Sequence, residues 1–263
     1  MLARLLDGTP LAGSEVLAVE RAPEEVLVVA PTRELPVLEA WRLLRDLVDQ
    51  TGRWPVAITD DGVVDEWLRY TALTELDVPA SAWPWNTYVD DSPLLADQLT
   101  LQPPLDELVR QDLTFPTTRP TVDRWTYERL LDDPGLRGPW TGSSRWVSPE
   151  NWFRPQRVAY ALLPTTSSWQ AQGWLRYFGA LGLESGRKLL AAEREWHERW
   201  GAELVASWGT MLQFVVSRRP TDPEDCWEVA GQLKAVGGSL QMDRHDLALS
   251  LPHGNAWFLH DRP

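Results

Sequence analysis

Residues 25–59 read EVLVVAPTRELPVLEAWRLLRDLVDQTGRWPVAIT, and the fold class turns on this stretch. Glu25 to Ala30 is a continuous aliphatic run rich in valine, the pattern of a buried strand, and it stops at Pro31-Thr32. From about Leu35 to Gln50 the apolar residues Leu38, Trp41, Leu44, Leu47 and Val48 recur at three- and four-residue steps, which predicts one apolar helical face. Thr51-Gly52 closes that helix with a glycine after its last turn. Trp54 to Thr59 is a second short apolar strand, ended by the turn signal Asp60-Asp61-Gly62. A crossover helix between two apolar strands is the usual way to build parallel neighbours, so the stretch predicts a mixed sheet with the two strands side by side.

Working outward, Val158 to Leu163 (VAYALL) reads as a strand that again ends in Pro-Thr, at Pro164-Thr165. Helices are expected around Ser168 to Ala180 and Lys188 to Trp200, the second with a stripe of Leu189, Ala192, Trp196 and Trp200 and charged residues on its other side. Glu203 to Ser207 and Met211 to Ser217 read as strands joined at Trp208-Gly209-Thr210. A helix follows from Asp222 to about Val236, and Asp246 to Leu251 and Asn255 to His260 read as closing strands. The expectation is an α/β or α+β fold, a mixed β-sheet flanked by helices, built from two strand-helix-strand passes that echo each other weakly. Residues 1–76 form the first unit and 155–263 the last. Residues 77–154, rich in Pro, Asp, Ser and Trp, read as an irregular insertion or lid, with helical patches only near Leu105 to Leu113 and Asp123 to Leu131.

Composition narrows the function. The 25 Lys and Arg against 38 Asp and Glu leave a formal charge of −13, which repels phosphate backbones and anionic lipid, so neither nucleic acid nor membrane is an expected partner. No apolar run approaches the roughly 20 residues of a membrane helix. The start, MLARLLDGTPLAGSE, has its short apolar stretch broken by Asp7, Gly8 and Pro10 and makes a poor signal peptide, so a cytoplasmic location is expected. Cys226 is the one cysteine, which excludes an intrachain disulfide and a Cys-based zinc cluster. Tryptophan is the unusual residue: its 16 copies exceed the five Tyr and five Phe together. Most are expected in the core, but Trp83 and Trp85, with Trp140 and Trp146, fall in loop-like segments that periodicity does not explain, and these are the candidate ligand-contacting residues.

Chemical motifs are mostly missing. There is no GxGxxG after a strand, no GxxxxGK[ST] and no G-x-S-x-G elbow. His197-Glu198 begins the zinc motif H-E-x-x-H, but Gly201 stands where the second His belongs. His245, His253 and His260 lie near the C-terminus with Asp243, Asp246 and Asp261, yet their spacings match no compact metal motif, so solvated polar positions are expected and neither metal nor cofactor is assigned. The paired acids Glu24-Glu25, Asp60-Asp61, Asp90-Asp91 and Asp132-Asp133 read as turn and capping carboxylates.

One resemblance is carried by the segment from Ala191, which reads AAEREWHERWGAELV, together with the later RRPTDPED. It resembles the bacterial family known as domain of unknown function 4253, with Trp196, Glu198, Arg199, Trp200, Gly201 and Ala202 standing for the family's Trp-Glu-x-Arg-Phe-Gly-Ala string. Trp257-Phe258 followed by Asp261 resembles its aromatic, acid-ended C-terminus, and Thr51-Gly52 with Trp54 and Pro55 resembles the strand entry that often precedes the domain. The family's Phe-Cys-Pro-Asp string is absent here. The resemblance implies a fold grouping and brings no activity with it.

Two functional readings follow. The first is a non-enzymatic acidic protein-binding module, an immunity- or regulator-like partner of a basic protein, resting on the charge and the failed motifs. The second is an enzyme of unfamiliar type acting on a small polar ligand in a Trp-lined pocket, with Asp90 and Asp91, or His245 with Asp243, as its polar groups.

Overall fold

The computed structural model of the protein describes residues 2–59, 68–69, 71–82, 119–133, 135–136, 147–240 and 242–262. A mixed sheet of seven strands runs through it: β1 (Glu15–Val19), β2 (Val26–Ala30), β3 (Trp54–Thr59), β4 (Val158–Leu163), β5 (Ala202–Ser207), β6 (Met211–Val216) and β7 (Ala256–His260), in the order β1-β2-β4-β3-β5-β6-β7. The described helices are α1 (Leu2–Leu6), α2 (Val37–Arg45), α3 (Val48–Thr51), α4 (Arg119–Asp132), α5 (Ser168–Ala171), α6 (Leu183–Trp200), α7 (Pro223–Val236) and α8 (Arg244–Ser250). Sheet and helices together make an α+β fold. Among the described residues no helix is long and apolar enough to cross a membrane.

The deciding stretch forms its two strands where expected, but the one helix expected from about Leu35 to Gln50 is broken into α2 and α3 at Asp46-Leu47, and the two strands are not neighbours. β4 lies between β2 and β3, antiparallel to both. The crossover through α2 and α3 fixes that β2 and β3 run the same way; it does not fix adjacency. β4 arrives later in the chain and is apolar enough to fill the gap, with Ala159 to Leu163 all buried. Among the described strands β3 and β5 are the parallel pair, joined at Ala57 and Ala206. That short ladder is reinforced by the Trp54 indole, whose Nε1 donates to the Leu204 carbonyl at 3.1 Å. Trp41 on α2 likewise donates to the Pro55 carbonyl at 2.9 Å and meets Trp54 edge to face, so two buried tryptophans weld helix to sheet. Every residue of β3 is buried, as a central strand covered on both faces requires.

Two other expectations are corrected. Asp246 to Leu251 is not a strand but most of α8 and the turn after it, because Asp243 supplies an extended N-cap residue and Leu247, Ala248 and Leu251 then bury one helical face. Ser168 to Ala180 is not one helix: α5 is a single turn, followed by 3₁₀ turns at Gln172–Trp174 and Phe178–Ala180. A Cβ on Gly173 would sit 2.2 Å from Leu76 Cδ2, so a side chain there would have to displace the Leu76 side chain.

α4 is held at the surface of α7 and α8. The Tyr127 hydroxyl donates to the Pro223 carbonyl at 2.9 Å, its ring stacks on Trp227 at 5.2 Å, and Arg124 pairs with Glu224. From the other direction the Arg244 guanidinium lies 4.1 Å from the Trp227 ring centre and donates to the Trp227 carbonyl.

Candidate functional site

β2, β3, β5 and β7 run in one direction, and β3, β5 and β7 deliver their carboxyl ends, Thr59, Ser207 and His260, to the same edge of the sheet. In open α/β sheets the carboxyl ends of parallel strands are where ligands characteristically bind, and β3 and β5 form such a pair at this edge. The tight turn from β5 to β6 organises it. Gly209 takes a φ of 79°, which a side chain would oppose, and Trp208 N donates to the Met211 carbonyl at 2.8 Å. The turn's own carbonyls face outward and bind two other segments: Gly209 O accepts from Phe178 N at 2.8 Å, and Thr210 O accepts from Asp261 N at 2.9 Å.

A cleft of about 340 Å³ opens at this edge, lined by Thr59, Phe153, Pro155, Trp208, Thr210, Met211 and His260. Its walls are mainly apolar. Phe153 is more than half exposed, and its carbonyl is pinned by the Gln213 side chain, whose Nε2 donates to it at 2.8 Å. Thr59 and Trp208 are over nine-tenths buried, and Thr59 Oγ1, Trp208 Nε1 and the neighbouring Ser207 Oγ have no hydrogen-bond partner among the described residues. Buried polar atoms left without a partner cost about 1–3 kcal/mol each, and a ligand group that paired with these would recover part of that cost.

Behind the turn lies a second polar group. Gly179 closes against both Tyr177 and Asp261: a Cβ there would fall 2.7 Å from Asp261 Oδ2 and 2.8 Å from Tyr177 Cε1. Burial raises the Tyr177 hydroxyl far above the ordinary tyrosine range, and the charges of Asp261 and Glu193 push it further. Glu193, on α6, is fully buried with neither carboxyl oxygen hydrogen-bonded among the described residues, and desolvation lifts its pKa well above the usual carboxylate value. Charged residues were expected on the far side of α6 from the stripe. Glu193 overturns that by lying among the buried Leu189, Ala192 and Trp196.

The C-terminal histidines do not form one group of solvated side chains. His253 is exposed and His260 borders the cleft, but His245 is buried on α8, with Nδ1 2.7 Å from Asp123 Oδ1 and Nε2 3.6 Å from Asp246 Oδ1. Burial disfavours the imidazolium, yet the hydrogen bond to Asp123 and the charges of Asp246, Asp123 and Asp243 outweigh it and raise the His245 pKa. Burial also pushes the Asp246 carboxyl up to about 6, against the pull of His245. The solvated expectation fails for His245 because α8 turns it inward onto α4, a contact between residues 122 apart in sequence.

The candidate residues Trp83, Trp85, Trp140 and Trp146 lie outside the described residues, as do Asp60, Asp61, Asp90 and Asp91. Asp133 is the turn carboxylate expected, accepting from Gly135 N at 2.8 Å. The family-motif residues divide. Trp196 is core, donating to Gln232 at 2.8 Å; Glu198 pairs with Arg194; Arg199 joins Glu195 of α6 to Asp225 and Glu228 of α7; Trp200 is half-buried. Gly201 caps α6 in the left-handed conformation, its N–H on the His197 carbonyl. Trp54, Pro55 and Trp257 are buried in the sheet and its core. Of the set, Asp261 alone reaches the cleft's edge, through its bond to Thr210.

Residues 159–261 match the family described as Domain of unknown function (DUF4253). The matched segment begins inside β4 and ends at Asp261, so it takes in the β5–β6 turn, Tyr177, Glu193 and the α8 cluster, and leaves Thr59 and Asp123 outside. No curated protein and no solved structure matches the chain.

Sequence reasoning passed over Thr59, Trp208, Tyr177, Glu193 and Asp123. Only Glu193 had a local signal, since it lies four residues after Leu189 and three before Trp196, on the stripe itself.

Proposed function

We propose that the protein binds a small, largely apolar ligand with a hydrogen-bonding group in the cleft at the carboxyl edge of its sheet. The observation that carries this reading is the convergence of Thr59, Trp208, Thr210, Met211 and His260, from three strand ends and one turn, on a cleft of about 340 Å³. That volume is at the lower end of small-molecule sites, which run from about 300 Å³. Phe153, Pro155, Trp208 and Met211 supply apolar contact, while the hydroxyls of Thr59 and Thr210 and the His260 ring supply orientation. This reading differs from the sequence's second reading, an enzyme acting on a small polar ligand among loop tryptophans, both in place and in the character of the ligand. A thermal-shift screen of small metabolites on the full chain tests it: stabilising hits should lose their effect in both Thr59→Val and His260→Ala. Hits that stabilise those variants as well as the parent chain would refute the cleft.

The net charge of −13 favours a second reading, association with a basic protein. Many described carboxylates are already held in ion pairs, among them Glu203 with Arg45, Glu75 with Arg187 and Glu224 with Arg124. Affinity purification at low and moderate salt tests this reading; a partner whose retention does not fall as salt rises would contradict its electrostatic basis.

A further inference from the structure

The head of α8 is built differently from the head of α7. At α7, Asp222 caps the helix by accepting from Glu224 N and Asp225 N, the usual work of an N-cap aspartate. At α8, Asp243 occupies the same N-cap place with extended backbone, and its carboxylate stands beside the His245 and Asp246 side chains. Asp243, His245 and Asp246 each bring one ligand-type atom into a group whose members all lie within 4.8 Å of one another. Asp246 Oδ1 is shut off from solvent and has no hydrogen-bond partner among the described residues. On the opposite side of the ring, His245 Nδ1 meets Asp123 Oδ1 at 2.7 Å. A metal-binding histidine characteristically donates its other ring N–H to a carboxylate, which fixes the tautomer and turns the remaining nitrogen toward the ion. With the Nδ1 proton on the Asp123 side, Nε2 is the nitrogen that faces Asp246.

We propose that Asp243, His245 and Asp246 bind a divalent transition-metal cation of the zinc type, with Asp123 as the positioning residue behind the imidazole. Two carboxylates and one imidazole are a donor set that zinc accepts, and three protein ligands leave a fourth position for water or a small molecule. A dication would relieve the repulsion among Asp243, Asp246 and Asp123, three carboxylates grouped around the one His245 ring. Ligand atoms about 2.1 Å from a tetrahedral ion stand about 3.4 Å apart, so the site closes by roughly 1 Å on binding, within the reach of aspartate rotation. α4 and α8 are already held in register by Tyr127, Trp227 and Arg244, so Asp123 and His245 meet without reorganisation. This proposal is independent of the cleft.

The test uses the full chain, stripped with a chelator and titrated with zinc chloride against a chromophoric zinc indicator. One equivalent should bind. Asp243→Asn, chosen because it preserves shape at a half-buried position, should weaken binding at least 100-fold while the metal-free variant keeps the parent circular dichroism. Asp123→Asn should weaken it about 10- to 100-fold. His253→Ala, at an exposed position, should change nothing. X-ray absorption of the zinc-loaded chain should show nitrogen and oxygen neighbours with imidazole scattering. The proposal is overturned by the lack of stoichiometric uptake, by unchanged affinity in Asp243→Asn, by loss of binding in His253→Ala, or by a sulfur neighbour, which would implicate Cys226.

Discussion

Among the described residues Glu193 is a carboxyl buried in the core with neither oxygen hydrogen-bonded. Its ordinary pKa of 4.5 is raised well upward by full burial. Between those two values the folded chain keeps a proton that the unfolded chain has released, so stability falls as pH rises through that window, by up to about 1.4 kcal/mol per pH unit. Glu193→Gln removes the titration at almost constant shape. Thermal unfolding at about pH 5 and pH 8 should therefore show the variant gaining on the parent as pH rises; a constant gap would contradict the burial argument. Trp41 makes the opposite case, a buried polar atom that is fully used. Trp41→Phe leaves the Pro55 carbonyl without its donor and should cost about 1–3 kcal/mol in denaturant unfolding.

At the scale of elements, the strands and long helices were legible because their signals are local. Continuous apolar runs gave β2 and β4, three- and four-residue spacing gave α2 and α6, and glycines marked the ends of α3 and α6. α8 was misread because Asp-Leu-Ala-Leu-Ser-Leu alternates as a strand does, and the choice of helix depends on a core face that only tertiary contact reveals. β1 was missed: it is a half-exposed edge strand with a weak apolar pattern. The candidate sites were least legible, since the cleft joins Thr59 to residues near 208 and 260, and the α8 cluster joins Asp123 to His245. Sequence spacing holds no record of such meetings. Gly201 is the element-scale prediction. Its φ of 60° at the α6 cap, with Ser217 Oγ 2.0 Å from where a Cβ would stand, means Gly201→Ala should destabilise the chain by about 1–2 kcal/mol, measured by urea unfolding.

For the whole molecule, the decisive feature is the interleaving of the sheet. β4, where the family-matched segment begins, is flanked by β2 and β3, and β3 is also what joins β4 to β5. A fragment of residues 155–263 would retain β4 to β7 yet leave β4 with no strand beside it. Expressed alone, that fragment should lack cooperative thermal unfolding, while the full chain shows it; a cooperative transition in the fragment would contradict the dependence. The same interleaving builds the cleft, since Thr59 comes from outside the matched segment and Trp208, Met211 and His260 from within it. The most direct measurement is a crystallographic fragment screen of the full chain. The account predicts fragments seated between Thr59, Trp208, Met211 and His260, and it is contradicted if fragments bind repeatedly elsewhere on the molecule and leave that edge empty.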